Sequence, residues 1–233
     1  MREESFPQTR MAVTQVNALL RSVYNWMMVG LGLSGLTAYL TVNSDAMLNL
    51  IFGNGYMIWV LFIGEIGLVI ALSGAVKRLS ASTAGMLFML FSVLNGLTLS
   101  SILLIYTARS VATTFFIAGA TFGATSFYGY VTKKDLTSWG NFLFMGLLGL
   151  IIAFVVNIFW QNTLFDLLLS AVGVLIFVGL TAYDTQKIRQ MGEEMTGADS
   201  DSFGRLAILG ALSLYLDFVN LFLMLLRFFG RRN

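Results

Sequence analysis

The chain has 233 residues, of which 57% are hydrophobic and only 11% are charged, so its composition indicates a membrane protein; soluble domains carry about 25% charged residues. It contains no cysteine and no histidine, which excludes disulfides, thiol nucleophiles, His-based catalytic triads and the zinc, iron–sulfur and haem sites that need these ligands. Its net charge of +2 is too small to indicate a nucleic-acid partner.

The chain then divides into a polar start and a series of long apolar runs. Residues 1–22 are polar, and because a secretory signal would place its apolar core closer to the start, we expect a solvated, cytoplasmic N-terminal tail. A transmembrane domain over 23–229 and a C-terminal tail at 230–233 follow. Crossing about 30 Å of hydrocarbon takes about 20 apolar residues. Seven segments meet this length: 23–43, 56–76, 84–106, 110–131, 140–160, 164–186 and 206–226.

This pattern predicts an all-α membrane protein, a seven-transmembrane-helix bundle with short loops. Only the loop at 187–205 is long enough to hold extra structure, and it is the most charged stretch. Ten of the 14 Lys and Arg residues lie in the N-terminal segment and in the loops after the second, fourth and sixth spans. Since Lys and Arg favour cytoplasmic loops, the N-terminus is predicted to be cytoplasmic and the C-terminus to lie outside. The basic residues of the C-terminal tail oppose the second assignment.

Small residues recur inside the predicted spans. In lipid, helices associate by close van der Waals approach, and small residues permit it. We therefore expect these positions at helix–helix contacts, where they support a bundle rather than an activity. They include a GxxxG pair, Gly119 and Gly123, together with Gly30, Gly32, Gly35, Gly146 and Gly149.

Three carboxylates interrupt the apolar spans: Glu65, Asp184 and Asp217. A charge at the bilayer centre costs at least about 2.5–3.5 kcal/mol, so each of them is a functional candidate that must face protein or water. Asp217 lies near the middle of the last span, and Ser213 and Asn220 fall on the same helical face. Such a polar stripe is typical of a proton or ion path. A hydrogen bond between helices, made by a protonated Asp217, is the alternative.

The other two carboxylates leave more than one interpretation open. Asp184 follows the uncharged stretch 167–183, so it is expected near the membrane boundary, where a pair with Lys187 would be ordinary. A buried role for Asp184 is the alternative. Glu65 lies between two glycines and is either a third member of the polar site or a lone protonated packing group. On the third span, Asn95 shares a polar face that could form hydrogen bonds inward.

Carboxylates in a dry bundle have a distinctive chemistry. Two that approach closely cannot easily both ionise, and they titrate as a unit. With a shared proton they would bridge two helices; without it, the repelling pair favours separation or a divalent cation. Hard oxygen ligands suit calcium, and the absence of His and Cys disfavours transition metals. The residues therefore predict a pH-dependent cation path with no cofactor and no structural metal.

Several stretches closely resemble the transmembrane Bax-inhibitor-motif family, in its bacterial branch. The most specific are FVGLTAYDTQKI at 177–188 and LGALSLYLDFVNLFLMLLRFFG at 209–230. LFMLFSVLNGLTLSSI at 87–102 and FGATSFYGYVTKKDLTSWG at 122–140 also match. The resemblance implies seven helices with the last one central, a bacterial inner-membrane location, and a calcium leak controlled by a pH-sensitive di-aspartyl latch.

The resemblance assigns this latch to Asp184 and Asp217 and gives Glu65 no role. For the two Asp side chains to meet, the sixth span must continue past Gln186 and carry Asp184 deeper than the apolar count indicates. The predicted end of that span is therefore the boundary that the structure tests most directly.

Two other functions stay open. One is a non-channel modulator of membrane machinery such as a membrane protease, with the loop 187–205 and the basic tails as its contact surface. The other is an intramembrane aspartyl protease, although those enzymes carry GxGD at the second Asp, where this chain has LYLD at 214–217. We expect a protein that is not an enzyme. Its expected partners are the lipid bilayer, calcium as a weakly bound transported ion, and other membrane proteins.

Overall fold

The computed structural model describes residues 5–76, 78–195 and 199–233, with side chains from residue 13 onward. Within these residues the chain forms eight helices and no strand, so the all-α prediction is confirmed. The helices are α1 (Ser5–Val42), α2 (Asp45–Phe52), α3 (Met57–Ala75), α4 (Ala81–Ile105), α5 (Ala108–Val131), α6 (Thr137–Trp160), α7 (Thr163–Glu194) and α8 (Ser200–Phe229).

Six helices of the described chain, α3 to α8, are long and apolar enough to cross a membrane. Large apolar side chains point outward from them, including Phe159, which is 84% exposed, and Phe116, which is 75% exposed. Exposed apolar surface of this extent is typical of a lipid-facing protein. These six helices correspond to the second through seventh predicted spans. The first predicted span, 23–43, lies within α1, which is not among the six, so the count of seven is approximate.

The N-terminal segment differs from its prediction. Instead of a solvated tail over residues 1–22, α1 is helical from Ser5, and Val16, Leu19 and Leu20 are buried. Their spacing places them on one face of a helix, which explains why this otherwise polar segment folds against the protein. Residues 1–4 of the predicted tail lie outside the described residues.

The boundaries around the charged loop also change. α7 continues to Glu194, past its predicted end at 186, and α8 already begins at Ser200. Most of the predicted loop 187–205 is therefore helical, although residues 196–198 lie outside the described part of the chain. The continuation of α7 is what the resemblance required, because it places Asp184 inside the helix rather than at its end.

α8 is the most buried of the six spans. In its most apolar stretch 72% of the residues are buried, against 6–33% in the others, which is consistent with the prediction that the last helix is central. The chain divides into two compact units. The first unit comprises the chain up to Ile105 together with Ile188–Tyr215, and the second comprises Tyr106–Lys187 and Leu216–Asn233. α8 thus contributes to both units.

In the first unit α1 and α3 pack against α4. α1 and α4 approach closely at Gly96, where an added Cβ would lie 2.6 Å from the carbonyl oxygen of Ser34. The aromatic core of this unit places the rings of Phe88 and Phe91 edge-on to Tyr215, with centroids 5.9 and 5.4 Å away. The close backbone approach joins α1 to α4, and the aromatic cluster packs the α8 segment of this unit against α4.

In the second unit α7 lies against α5 and α6. A Cβ added at Gly129 of α5 would collide with the carbonyl oxygen of Ala182, and one added at Gly140 of α6 would lie 2.5 Å from the ring of Tyr183. A Cβ added at Gly119 or Gly123, the predicted GxxxG pair, would meet no atom of another helix within 4 Å in the described structure. The expectation of a helix contact at GxxxG is therefore not met here, and Gly129 on the same helix makes the close approach instead.

The C-terminal segment is not a free tail. The amide of Thr107 donates to the carbonyl oxygen of Arg231 at 3.0 Å, and the amide of Arg231 donates to the hydroxyl of Ser110 at 3.0 Å. These bonds place the end of the chain beside the linker between α4 and α5, so the two lie at the same end of the second unit.

Candidate functional site

Asp217 lies in the part of α8 that belongs to the second unit. The side chain is buried, with 5% of its surface exposed, and its neighbours Phe218 and Leu221 are buried apolar residues. Phe218 packs edge-on against Phe115 and Phe122 of α5, with ring centroids 5.3 and 5.6 Å apart. Oδ2 of Asp217 is buried and has no hydrogen-bond partner among the described residues. Such an unpaired oxygen carries a desolvation penalty that the helix itself does not offset.

Asp184 is positioned by the polar face of α7. Thr185, which follows it, is buried and donates to the hydroxyl of Ser126 on α5 at 3.3 Å. Thr181, one turn earlier, donates to the carbonyl oxygen of Phe177 in its own helix at 2.7 Å. Together with the close approach of α5 at Gly129, these contacts set the rotation of α7, and Asp184 itself is half-buried.

The two predicted aspartates both belong to the second unit. Asp184 and Asp217 interact electrostatically, and Lys187, three residues after Asp184, supplies a positive charge that also acts on Asp184. The ammonium of Lys187 is also 5.8 Å from the centre of the Tyr183 ring. Asp184 is thus subject to a second carboxylate and to the lysine of its own helix, although no ion pair joins Asp184 to Lys187 among the described residues. We call Asp184 and Asp217 the Asp pair.

The predicted companions of Asp217 on α8 do not bond to it in the described structure. The amide nitrogen of Asn220 donates to the carbonyl oxygen of Leu216 in its own helix at 2.8 Å. Ser213 is half-buried and belongs to the first unit. Helical periodicity therefore places Ser213 and Asn220 on the same face as Asp217, but these two side chains do not donate hydrogen bonds to the Asp pair in the described structure.

Glu65 forms a separate cluster within the first unit. It is 8% exposed, and both of its carboxylate oxygens accept hydrogen bonds from α4: Oε2 from the amide of Asn95 at 2.9 Å and Oε1 from the hydroxyl of Thr98 at 2.5 Å. Asn95 accepts in turn from the hydroxyl of Tyr215 at 2.8 Å. Ser34 of α1 lies 2.7 Å from that same hydroxyl. We call these five residues the Glu65 cluster.

The Glu65 cluster connects four helices through one continuous set of hydrogen bonds. Glu65 is on α3, Asn95 and Thr98 are on α4, Tyr215 is on α8 and Ser34 is on α1. The carbonyl oxygen of Ser92 on α4 lies 2.7 Å from the hydroxyl of Ser34 and is an alternative acceptor for its one proton. Of the two sequence interpretations of Glu65, the lone packing group is wrong, because its partners lie on a neighbouring helix.

Sequence reasoning missed Tyr215 and Ser34. Tyrosine is enriched at membrane–water interfaces, so a tyrosine in the middle of an apolar span signals that its hydroxyl has a partner inside the protein. Tyr215 sits two residues before Asp217 and is completely buried. That signal was available in the sequence. Ser34, by contrast, lies among small residues of α1 and carries no comparable signal.

The donor sets differ in what they can bind. Both oxygens of Glu65 already accept hydrogen bonds, so that carboxylate has little capacity left for a cation. The Asp pair offers an unpaired oxygen next to a second carboxylate. Among the described residues, no group of three or more His, Cys, Asp or Glu side chains could hold a metal ion. Two carboxylates alone fall short of the about six to eight oxygen ligands typical of a calcium site.

Comparison with known proteins identifies the family. A family profile described as "Inhibitor of apoptosis-promoting Bax1" matches residues 16–233. The chain belongs to this family. It is 47% identical over 232 residues to the inner membrane protein YbhL of Escherichia coli (strain K12), covering 100% of this chain and 98% of that protein.

More distant members of the Bax1-inhibitor family show the same extent of similarity along the chain. An uncharacterized protein of Borreliella burgdorferi is 44% identical over 226 residues, covering 97% of each chain. An uncharacterized membrane protein of Streptococcus pyogenes serotype M6 is 33% identical over 220 residues, covering 94% of each chain. Together with the six apolar helices, these similarities support a multi-pass inner-membrane location.

Proposed function

We propose that this member of the Bax1-inhibitor family is a calcium-permeable leak channel whose opening depends on the protonation of the Asp pair. One observation carries the proposal: Asp217 is buried, its Oδ2 lacks a hydrogen-bond partner among the described residues, and it interacts with a second carboxylate, Asp184. A buried carboxylate with no stabilising donor and a like charge beside it is an unstable arrangement unless a proton or a cation joins it.

The pair supplies a two-state element. At low pH the two carboxyl groups share a proton, and the resulting hydrogen bond joins α7 to α8. As the pH rises the proton leaves, and two negative charges repel each other in a poorly solvated region. Separation of the two helical segments, or entry of a cation between them, then relieves the repulsion. The leak is therefore faster at higher pH.

The same geometry selects the kind of ion and the kind of binding. Carboxylate oxygens are hard ligands that suit calcium better than a transition metal. Because the pair offers few ligands, calcium passes as a weakly bound ion rather than staying as a structural metal. The proposed function is transport, with no enzymatic step and no cofactor.

The proposed orientation places the N-terminus in the cytoplasm and the C-terminus outside. The distribution of Lys and Arg assigns the linker between α4 and α5 to the outer side. Hydrogen bonds with Thr107 and Ser110 hold the C-terminal segment beside that linker. This contact supports an outer C-terminus despite the basic residues it carries.

Calcium flux into dye-loaded liposomes tests the proposal. Purified wild-type protein should admit calcium faster as the pH rises, and Asp184→Asn and Asp217→Asn should each flatten that pH response. Asp166→Asn is the matched control, because it makes the same chemical change on α7 at a carboxylate whose partner is Arg227, 3.3 Å away. The control should keep the wild-type pH response.

Each other result points to a different function. A flux that ignores pH in the wild type and in both variants would overturn the leak proposal and leave a non-channel modulator of membrane machinery. Cleavage of a transmembrane peptide that is lost in both variants would instead show an intramembrane aspartyl protease. Orientation can be read separately, from protease accessibility of tags placed at the two ends of the chain.

A further inference from the structure

A cleft in the second unit is lined by neither member of the Asp pair and has no role in the proposed leak. It has a volume of about 370 Å³ and is bounded by the end of α5, the linker to α6, the first turns of α6 and the middle of α7. Lys134 and Asp135 of the linker line one part of it. Trp139, Leu143 and Gly179 are among the residues that line the rest of it.

The linker that carries the two charges is held rigidly. Gln186 of α7, which is buried, donates to the carbonyl oxygen of Lys134 at 2.8 Å and accepts from the amide of Leu136 at 2.8 Å. One side chain therefore clamps the backbone on both sides of Asp135. The cleft is thus a preformed feature of the fold, as expected for a binding site.

The two charged groups of the linker are neighbours of opposite sign. The hydroxyl of Thr137 donates to Oδ1 of Asp135 at 2.6 Å, and the amide of Thr137 donates to the same oxygen at 2.9 Å. These bonds lower the pKa of Asp135. Both end on Oδ1, so Oδ2 has no hydrogen-bond partner among the described residues. Lys134 is exposed and forms no ion pair within the described part of the chain.

The cleft changes from charged to apolar along α6. Leu143 lies six residues after Thr137, which corresponds to about 9 Å along a helix axis. Trp139 lies between these positions and is 62% exposed. Tryptophan at the boundary between a charged loop and an apolar span is typical of the membrane interface. The cleft therefore faces the depth at which lipid headgroups meet acyl chains.

We propose that this cleft binds a phospholipid with an ethanolamine headgroup, its phosphate on Lys134, its ammonium on Asp135 and the start of an acyl chain along Leu143 and Gly179. A headgroup with adjacent negative and positive charges matches the adjacent lysine and aspartate. A purely anionic headgroup would meet repulsion from Asp135. A choline headgroup has no N–H group to donate a charge-assisted hydrogen bond to that carboxylate.

Native mass spectrometry of the full chain, titrated with phospholipids of identical acyl chains, tests the assignment. The wild type should bind phosphatidylethanolamine about fivefold to tenfold more tightly than phosphatidylcholine or phosphatidylglycerol, where tenfold corresponds to about 1.4 kcal/mol. Lys134→Gln should weaken ethanolamine-lipid binding by a similar factor. The matched control, Lys133→Gln, changes the adjacent exposed lysine, which does not line the cleft, and should leave binding unchanged.

Asp135→Asn separates recognition from folding. Asparagine keeps a side-chain oxygen that can accept hydrogen bonds from Thr137, so the linker should keep its conformation. It has no negative charge, so the electrostatic attraction for an ammonium group is removed. The variant should bind phosphatidylglycerol and phosphatidylethanolamine equally well. Equal binding of these two lipids by the wild type, or an equal loss in the Lys133 and Lys134 variants, would overturn the proposal.

Fluorescence locates the lipid. Phosphatidylethanolamine brominated near the headgroup end of its acyl chain should quench a tryptophan component that Trp139→Phe removes. Unchanged quenching in Trp139→Phe would place the bound lipid elsewhere and contradict the assignment. None of these measurements involves ion flux, so they stand or fall independently of the leak proposal.

Discussion

Two carboxylates are buried within apolar helices of this protein, and their hydrogen bonding differs. Glu65, in the first unit, accepts from Asn95 and Thr98 at both oxygens. Asp217, in the second unit, has an oxygen with no partner among the described residues and interacts with Asp184. Burial alone therefore does not distinguish these two carboxylates; their hydrogen-bond partners do.

The energetic consequence of each arrangement is different. Removing a satisfied carboxylate orphans the donors that it accepted from, and each buried orphan costs stability. Removing an unsatisfied carboxylate eliminates an unfavourable burial and orphans nothing. We therefore expect the Glu65 cluster to stabilise the packing of the helices. We expect the Asp pair to bind protons and ions while contributing little to the free energy of unfolding.

The largest expected effect comes from breaking the satisfied site. Glu65→Leu should lower the free energy of unfolding by about 2–5 kcal/mol, because the amide of Asn95 loses its acceptor and the hydroxyl of Thr98 keeps only its longer bond to the carbonyl oxygen of Leu94. Thermal unfolding in detergent measures it. Ile66→Leu, at a neighbouring position that is 59% exposed, is the control and should leave the midpoint unchanged. A loss below about 1 kcal/mol would mean that the Glu65 cluster is not structural.

The next effect tests the packing that orients Asp184. Gly129→Ala should destabilise the protein by about 1–3 kcal/mol, because the added methyl group meets the backbone of Ala182 and α7 must move. Gly123→Ala, on the same helix with nothing within 4 Å, should be neutral or slightly stabilising. Equal stability of the two variants would show that α5 and α7 do not touch at Gly129.

A third prediction compares the two carboxylates in transport. If one proton controls opening, flux should change by at most about tenfold per pH unit in the wild type. Asp217→Asn should abolish this dependence, whereas Glu65→Gln should keep it. Glutamine can be accommodated because Thr98 has a second acceptor, the carbonyl oxygen of Leu94 at 3.3 Å. A pH response lost in Glu65→Gln and kept in Asp217→Asn would reverse the roles assigned to the two sites.

The smallest effect is expected for stability at the unsatisfied site. Asp217→Leu should change the free energy of unfolding by less than about 1 kcal/mol, in either direction, because it removes a buried polar group that has an unpaired oxygen. Thermal unfolding at a pH high enough to remove the proposed shared proton measures this, because at lower pH the variant also loses the hydrogen bond between the two carboxyl groups. A loss above about 2 kcal/mol at that high pH would show that Asp217 has other stabilising partners.

The sequence by itself showed that most of the chain is suited to lipid rather than water, and it located most of the spans. Apolar runs of about 20 residues have no stable alternative to a helix in lipid, since every backbone group must be satisfied within the segment. A charge within such a run is costly, so the three carboxylates that interrupt the runs could be identified directly from the sequence. The resemblance in the last two spans indicated the family and singled out Asp184 and Asp217.

Boundaries and contacts were decided only by tertiary structure. Charged residues can continue a helix beyond the hydrocarbon, so the end of α7 at Glu194 was invisible to an apolar count. The glycines that matter were chosen by the neighbouring helix: Gly129 meets Ala182, while the more obvious Gly123 meets nothing. Likewise, only the fold shows that Glu65 finds two donors and that Asp217 keeps an unpaired oxygen, because hydrogen-bond partners far apart in the chain leave no local pattern.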